Sequence, residues 1–556
     1  MKKLLLIPLF IIVIGAMVLA GCGPSATPTS SPTPTATQPT ATQPTATQPT
    51  ATQPTATQPT ATAPTHVPYG TIHVASGDFA NESFDPIENE SVWGFAIYDT
   101  LLTFGPTGVI LPNVAESFEF ADNGTWTFHI RHGIKFTNGE DLTADDVKFT
   151  IDRFGDTSIS RNPWSQYISA GYNKIECVVD DPYTVRFIAA RPEIHQGIAF
   201  AWMRVFPKDY FESVGQDEFR KHPIGSGPWK VAEFVPETRI LFEANTNHWE
   251  RVPYYEFVEE IQVPEQSTRV AMLKEGDVDI AFPIDYDRLA ELEAVGYRME
   301  ALGFPMISDI NFQGTWMAGA GAAGDIRIRE AVSLAIDREE LCATWYQGFA
   351  VPGGQFFMHR GSWGWSDELI PESNLAKAQA LMAEAGYPDA FDDPVIHIFC
   401  QATAQDYMLV VLGYLEAAGF QTELKIIDTG AFWGALFARP AEGAWNVGWA
   451  WPWTSGSFFN CTYHSANLYT SRGIHGTSND VLATELYDAY LAETDMVQAE
   501  QLWMEFQQYV KTLYLDIGIA EIEPKLPVGP NLGEFSERNW WGLQEAYCGI
   551  KHPGQD

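Results

Sequence analysis

Residues 115–154 read AESFEFADNGTWTFHIRHGIKFTNGEDLTADDVKFTIDRF. Phe118 and Phe120 alternate with Ser117 and Glu119, and Asp122-Asn123-Gly124 then offers a turn. Trp126, Phe128 and Ile130 alternate again. A period of two on both sides of a Gly-containing turn predicts a β-hairpin. Asn138-Gly139 marks a second turn. Thr143 is followed three residues later by Asp146, which is capping-box spacing with Asp in place of Glu. A helix is predicted from there through Val147, Phe149 and Ile151. His129 and His132 lie inside this stretch, but alternation sends them to opposite faces of a strand. A metal pair needs convergent side chains, so both are read as structural.

Downstream the period changes. Asp325 precedes an apolar face made of Ile328, Ala331, Val332, Ala335 and Ile336, which predicts a capped helix. Asp337 and Glu340 have the spacing to start another, ending near Gly348. Leu375, Ala378, Leu381, Met382 and Ala385 form a third stripe, stopped by Gly386 and Pro388. A strand over 395–399, a helix around Val410 to Leu415 ending at Gly419, and a strand over 422–427 follow. Two helices are expected over 480–509, burying Leu502, Trp503, Phe506 and Val510. This strand-helix-strand rhythm predicts an α/β lobe.

Upstream, Lys2 and Lys3 precede an apolar run, Leu4 to Leu19, which is short for a membrane span and reads as a secretory signal. Leu19-Ala20-Gly21-Cys22 resembles the bacterial lipobox, which implies a diacylglycerol on Cys22 after cleavage of 1–21. Acyl chains contribute about 0.8 kcal/mol per buried methylene, so two give lasting anchorage. From Gly23 to Pro68 there is no Asp, Glu, Lys or Arg, and Pro-Thr-Ala-Thr-Gln recurs. Regular proline blocks helix and sheet and favours polyproline II. Segment 22–68 is therefore expected to be a disordered tether. At about 3.1 Å per residue it reaches on the order of 140 Å. Its Thr hydroxyls are candidate acceptors of O-linked sugar.

The rest of the 556-residue chain is long for one core and predicts two or more packed lobes. A formal charge of −38 leaves no basic stripe for phosphates and excludes a general nucleic-acid role. With Cys22 assigned to lipid, Cys177, Cys342, Cys400, Cys461 and Cys548 remain, without CxxC spacing. A metal-thiolate site is not expected, and one or two disulfides of open pairing are allowed outside the cytosol.

The order of motifs along the folded region resembles one family, the large solute-binding proteins of dipeptide, oligopeptide and nickel ABC importers. Trp126 to Phe136, then Asn138-Gly139 and Leu142 to Val147, look like its signature stretch. Pro223-Ile224-Gly225-Ser226-Gly227-Pro228-Trp229 is similar to its Gly-rich turn. Leu273 to Ile280, Asn311, Ile326 to Ala331, Ala335 to Arg338, Ala376-Lys377 and Glu384 to Tyr387 fit further landmarks. The resemblance implies an α/β, two-lobed periplasmic-binding-protein-like clamshell of the large peptide-binding type, with an extra subdomain in lobe I. Lobe I would take 69–312 and a return segment 513–550, and lobe II 313–512. The implied function is capture of a peptide-class solute between the lobes and its delivery to an ABC permease with its ATPase, at the extracytoplasmic face of the membrane.

One departure bears on the ligand. In the family's peptide binders an Asp after the Gly-Trp strand of the second lobe pairs with the peptide's α-amino group. Here that strand resembles Trp445 to Trp449, and no Asp or Glu occurs from Gly443 to Asn479. Trp449, Trp451 and Trp453 stand there instead, on one face of an extended strand if alternation holds. Each offers on the order of 200 Å² for stacking on a sugar ring or another apolar face. Trp93, Trp363, Trp365 and Asn311 fall in segments that the resemblance places near the cleft. An oligosaccharide or other uncharged ligand is thus the rival to peptide, and core packing is the alternative role for each Trp.

Enzyme signatures are missing. No H-E-x-x-H occurs, Ile224 stands where a G-x-S-x-G elbow needs Gly, and the run Gly319 to Gly324 lacks a Lys-Ser/Thr partner. Asp145 and Asp146 suit a helix start. A secreted hydrolase with two facing acids remains the reading from a different class. No cofactor and no metal are expected.

Overall fold

The expected hairpin forms as Ala115–Phe120 and Thr125–Ile130, with Phe118 opposite Phe128 and Phe120 opposite Trp126. The computed structural model describes residues 66–554 apart from 80–81, 89–92, 105–109, 122, 157, 161–167, 169–173, 191, 193–195, 302–304, 313–320, 355–359, 361–363, 388–395, 402–403, 428–453, 456–479, 494 and 536–546. Strands Thr184–Ala189 and Ile175–Asp181 extend the hairpin into a four-stranded antiparallel sheet. Its inner face carries Trp126, Phe128 and Phe187, which surround Phe200 with ring centroids 5.0–5.6 Å away. The helix after it spans Ala144–Phe154 and starts on the expected capping box. Asp146 Oδ2 accepts from the Thr143 amide at 2.8 Å and Oδ1 from the Lys208 amide at 2.9 Å. This unit, with its own core, is the extra subdomain of lobe I.

The body of lobe I is a seven-stranded sheet. Its order is Arg298–Ala301, Lys525–Val528, Ile280–Phe282, Thr71–Ser76, Phe257–Gln262, Arg239–Ala244, Trp229–Val235. The three middle strands around Thr71–Ser76 run parallel, and the outer ones pair antiparallel. Trp93, Phe84, Trp229 and Phe242 pack in one core of this lobe. A second core gathers Leu273, Leu289 and Leu292 from the helices Gln266–Glu275 and Tyr286–Ala294. The Gly-rich turn docks on the short helix Gly94–Ile97. Gly227 donates to the Ile97 carbonyl at 2.9 Å, and a Cβ on Gly225 would lie 2.0 Å from that same oxygen. No side chain fits there.

Lobe II follows the expected rhythm. Helices span Ile326–Ala335, Arg338–Thr344, Leu375–Glu384, Gln405–Ala418, Val481–Ala492 and Met496–Lys511. Asp325, Asp337, Asn374, Asp480 and Asp495 cap five of them through their side chains. Ile396–Gln401 and Thr422–Ile427 pair in parallel across the helix Gln405–Ala418, which ends on left-handed Gly419. Trp503, Phe506 and Val510 are buried as expected, and Leu502 is half-buried.

The lobes join through two strands. Met306–Asn311 leads out of lobe I and Asp516–Ile522 leads back, and they pair antiparallel inside a four-stranded sheet with Ala350–Pro352 and Thr454–Ser455. Ile310, Phe312, Ile517 and Ile519 belong to the lobe II core. The strand Arg298–Ala301 is thus the last of lobe I before Met306–Asn311, and Lys525–Val528 is the first after Asp516–Ile522. Motif order located the helices of lobe II but gave no sign that the flanking strands pair with each other.

Close packing at Gly225 makes a clear expectation. Gly225→Ala should destabilise lobe I by about 3 kcal/mol through overpacking. Gly413→Ala, on an exposed helical position with nothing within 4 Å of the new methyl, should stabilise by about 1 kcal/mol. Denaturant midpoints of the two variants check this, and equal shifts would contradict it.

Candidate functional site

Strand direction fixes where the lobes face each other. Val74 pairs with Ile280 and Ser76 with Phe282 in parallel, while Ile280 pairs antiparallel with Val528, and Ala301 with Lys525. Both crossings therefore leave from the edge where Thr71–Ser76, Phe257–Gln262 and Ile280–Phe282 end. In open α/β sheets the carboxyl ends of strands are where loops diverge and leave a crevice. Lobe II is suspended over that edge.

The loops on the edge are tied by one guanidinium. Arg269, 4% exposed, donates to the carbonyls of Val263, Pro264 and Pro283 at 2.6–2.7 Å. Gly77 completes the knot, since its amide donates to Phe282 O at 3.0 Å and a Cβ there would press on Pro283 and Arg269. The next loop is held just as firmly. Asp85 is fully buried and pairs with Arg153 at 3.0 Å. Gln216 reaches both Asp85 and Glu88, and Glu88 also accepts from Ser83 at 2.7 Å and pairs with Arg220. Glu82 accepts the Glu237 amide at 2.6 Å, linking this loop to the turn after Trp229–Val235. A cavity of 1080 Å³ opens here, lined by Glu82, Glu88, Arg220, Lys221, His222 and Phe234 among others.

Aromatic contacts bridge the lobes. Tyr286, just past the edge of lobe I, meets Tyr346 edge-on at 4.9 Å and Phe349 at 6.4 Å. Behind Tyr346, the hydroxyls of Tyr407 and Ser308 hydrogen-bond, which connects this contact to the outgoing crossing strand. That strand carries an acid pair with its neighbour. Asp309 and Asp516 are 0% and 1% exposed, and Asn311 Nδ2 donates to Asp309 Oδ2 at 2.5 Å. Burial, then repulsion from Asp516 and a hydrogen bond with it, push the Asp309 carboxyl well above the usual carboxylate range.

A family model for bacterial extracellular solute-binding proteins, family 5 Middle, matches residues 109–470. The chain belongs to that family. This solute-binding protein is 27% identical over 323 residues to the glutathione-binding protein GsiB of Salmonella paratyphi A, across 57% of this chain and 61% of the relative. The match thus spans under two thirds of that curated relative's length. Among solved structures it is similar to the oligopeptide-binding protein AppA from Bacillus subtilis in complex with a nonapeptide, with TM-score 0.69, 19% identity, and coverage of 87% and 100%. It is also similar to MoaA from A. tumefaciens R10 in complex with mannopinic acid, with TM-score 0.68, 20% identity, and coverage of 87% and 100%. These likenesses establish the two-lobed fold.

The sequence-predicted site residues separate in this frame. Trp93 is fully buried in the core of lobe I, edge-on to Phe79 and Phe234, and its indole donates to Glu260 at 3.3 Å. It presents no face to the cleft. Trp365 is half-buried against the lobe II core, with its indole on Asp367 at 3.2 Å and Arg360 5.8 Å from the ring. Asn311 is 3% exposed and serves the acid pair. Trp363, Trp449, Trp451, Trp453 and Cys22 lie outside the described residues. The strand Thr454–Ser455, which follows Trp453 directly, pairs with Met306 and Ile307 at the lobe crossing. Arg269, Tyr286 and the Asp85–Glu88 loop escaped sequence reading, because their partners are distant in sequence and carry no motif.

Among the described residues no group of three or more His, Cys, Asp and Glu could hold a metal ion, and no helix is long and apolar enough to cross a membrane. The His132 ring lies tilted against Tyr183, with centroids 3.7 Å apart. Cys177, Cys342 and Cys400 are buried free thiols, Cys548 is buried, and burial pushes the Cys177 thiol up to about 12. Cys461 lies outside the described residues.

The acid pair sets a pH dependence with a definite sign. A carboxyl whose folded pKa is raised contributes stability that is complete below the ordinary value and is lost as pH rises through the folded value. Asp309→Asn keeps a hydrogen-bonding side chain and removes that titration. The variant should match the parent near pH 4 and melt higher at pH 8. Melting curves across that range check it, and a parallel offset at all pH values would contradict the raised titration of Asp309.

Proposed function

We propose that this chain captures a small solute of the peptide class between its two lobes and hands it to the permease of an ABC importer. The observation that carries the reading is the pair of crossing strands, which suspend lobe II over the carboxyl edge of lobe I. Two covalent crossings permit a hinge, and a ligand that touches both lobes shifts the population towards the closed form by its differential affinity. GsiB is named for glutathione and AppA was solved with a nonapeptide, which supports a peptide-like ligand. Delivery from outside the cell agrees with the family's extracellular character. We further propose that Cys22 carries the lipid anchor and that 22–68 is the tether, on the strength of the lipobox-like Leu19 to Cys22.

A second reading is a ligand without a free amine, such as an oligosaccharide. It is favoured by the lack of any acid from Gly443 to Asn479 and by Trp449, Trp451 and Trp453 in that stretch. MoaA, with mannopinic acid bound, supports the view that this fold takes solutes other than peptides.

The full chain, offered a peptide mixture and an oligosaccharide mixture, should retain one class, contract in small-angle scattering, and return the ligand chemically unchanged. A cleaved ligand would sink the transport reading in favour of a hydrolase. Trp451→Ala should weaken the retained ligand about tenfold if stacking contributes, since one aromatic face supplies about 1 kcal/mol beyond its area. Unchanged affinity would remove Trp451 from the site.

A further inference from the structure

A second cavity, of 490 Å³, opens in lobe II, and every residue lining it falls between Ile326 and Tyr514. Its size lies in the range of about 300–1,000 Å³ that encloses small molecules. It stands away from the cleft. Its residues Thr512 and Tyr514 lead into Asp516, which pairs with Asn311, whereas the lobes meet at the other end of that strand pair, at Met306 and Ile522. The two ends are about 17 Å apart along extended strand. One wall is a strap, residues 364–369, tied to the helix Met496–Lys511. Glu500 Oε1 accepts from the Gly364 amide at 3.0 Å, Gln507 Nε2 donates to the Gly364 carbonyl at 3.1 Å, and Lys511 donates to the Glu368 carbonyl. The strap lies directly on the helix, since a Cβ on Gly364 would come within 2.6 Å of Trp503.

The Gly364 carbonyl needs a donor, which fixes the Gln507 amide with Nε2 towards it. Gln507 is 1% exposed and lines the cavity, yet its Oε1 has no hydrogen-bond partner among the described residues. A buried acceptor without a donor is costly, and the cavity is the side from which a donor can come. Two hydroxyls stand beside it. Ser366 Oγ accepts from the Glu368 amide at 3.3 Å, which leaves its proton to give. Thr512 Oγ1 donates to the Tyr509 carbonyl at 2.7 Å, which leaves its lone pairs to accept. A ligand hydroxyl both gives and accepts, so a ligand rich in hydroxyls suits this mixture. The charges of the walls cancel. Glu330 pairs with Lys377 at 3.0 Å, and Glu368 is matched by Lys511 beside it. Ile326, Leu369 and Met504 add apolar surface for the C–H face of a ring.

We propose that this cavity is a second ligand site, outside the inter-lobe cleft, for a neutral polyhydroxylated ring of monosaccharide size that donates to Gln507 Oε1. The site stands independently of the solute-capture reading, because no residue of lobe I takes part. A ligand held by one lobe has equal affinity for open and closed forms, so it is recognised without driving closure.

The test titrates the full chain with glucose, galactose and N-acetylglucosamine by ligand-observed NMR, with glucuronate and glucosamine as charged counterparts. At least one neutral sugar should saturate with a Kd on the order of 1 mM, and its charged counterparts should bind about tenfold more weakly. Gln507→Met, close in shape, should weaken the neutral sugar about tenfold through loss of the acceptor. Thr512→Ala, at an exposed position, should weaken it about threefold and keeps the test open if Gln507→Met folds poorly. Small-angle scattering should show no contraction with sugar bound. Absence of saturable binding by all three neutral sugars, or equal binding of the charged ones, overturns the site. Binding that survives both substitutions, or that contracts the molecule, belongs to the cleft and overturns it as well.

Discussion

Two strands far apart in sequence, Met306–Asn311 and Asp516–Ile522, pair with each other, and the molecule is organised by that pairing. Among the described residues, those between them form lobe II and those outside them form lobe I, because the returning chain runs straight into Lys525–Val528, between Arg298–Ala301 and Ile280–Phe282. Closing a loop of that length costs only slowly growing entropy, but the contacts that reward it must be non-local. The crossing sheet supplies them as continuous backbone hydrogen bonding and a row of buried side chains in the returning strand. A hinge placed beside such a sheet can bend without the sheet having to break.

Polar groups beside this sheet are buried and almost fully enclosed. Arg338, 1% exposed, donates to the carbonyls of Gly518, Ser333 and Ile336, and burial lowers its guanidinium to about 10. Such a group holds its position because leaving any of these carbonyls unsatisfied costs about 1–3 kcal/mol. Arg269 does the same for the loops of lobe I. The facing edges are thus set by two buried guanidinium groups, each acting on backbone oxygens of separate loops. Rigid lobes with few covalent links between them are what a population shift between open and closed forms requires.

Much of this was legible in the sequence, and the reasons differ by feature. Local signals gave the hairpin at Trp126, the capping box at Thr143 and Asp146, and the helix starts at Asp325 and Asp337, since each is decided within four residues. Gly225 and Gly227 were visible as a turn, but their role as a docking face for Ile97 was not, because Ile97 announces nothing. The pairing of 306–311 with 516–522 was hidden for the same reason, since strand pairing over that distance leaves no local trace. Trp93 shows the limit of composition. A Trp near a cleft in sequence order is a stacking surface only if a face of it is open, and here Phe79, Phe84 and Phe234 enclose it. The sequence left the pairing of its cysteines open, and Cys177, Cys342 and Cys400 prove to be buried free thiols, since pairing depends on positions in space.

The start of the described chain completes the geometry. His66 stacks on Tyr254 at 4.3 Å and Tyr69 on His552 at 3.7 Å, so residues 66–70 are pinned before Thr71 enters the sheet. His66 also meets the carbonyls of Val252 and Pro253 at 3.1 and 3.2 Å. Thr71 pairs with Phe257, which is the end of the sheet opposite Ser76 and the crossings. A pull transmitted through His66 therefore meets stacked rings and a parallel strand pair at the pole away from lobe II. Force on the N-terminal side loads the body of lobe I along its strands and bypasses the hinge, so attachment at that pole leaves opening and closing of the lobes mechanically free.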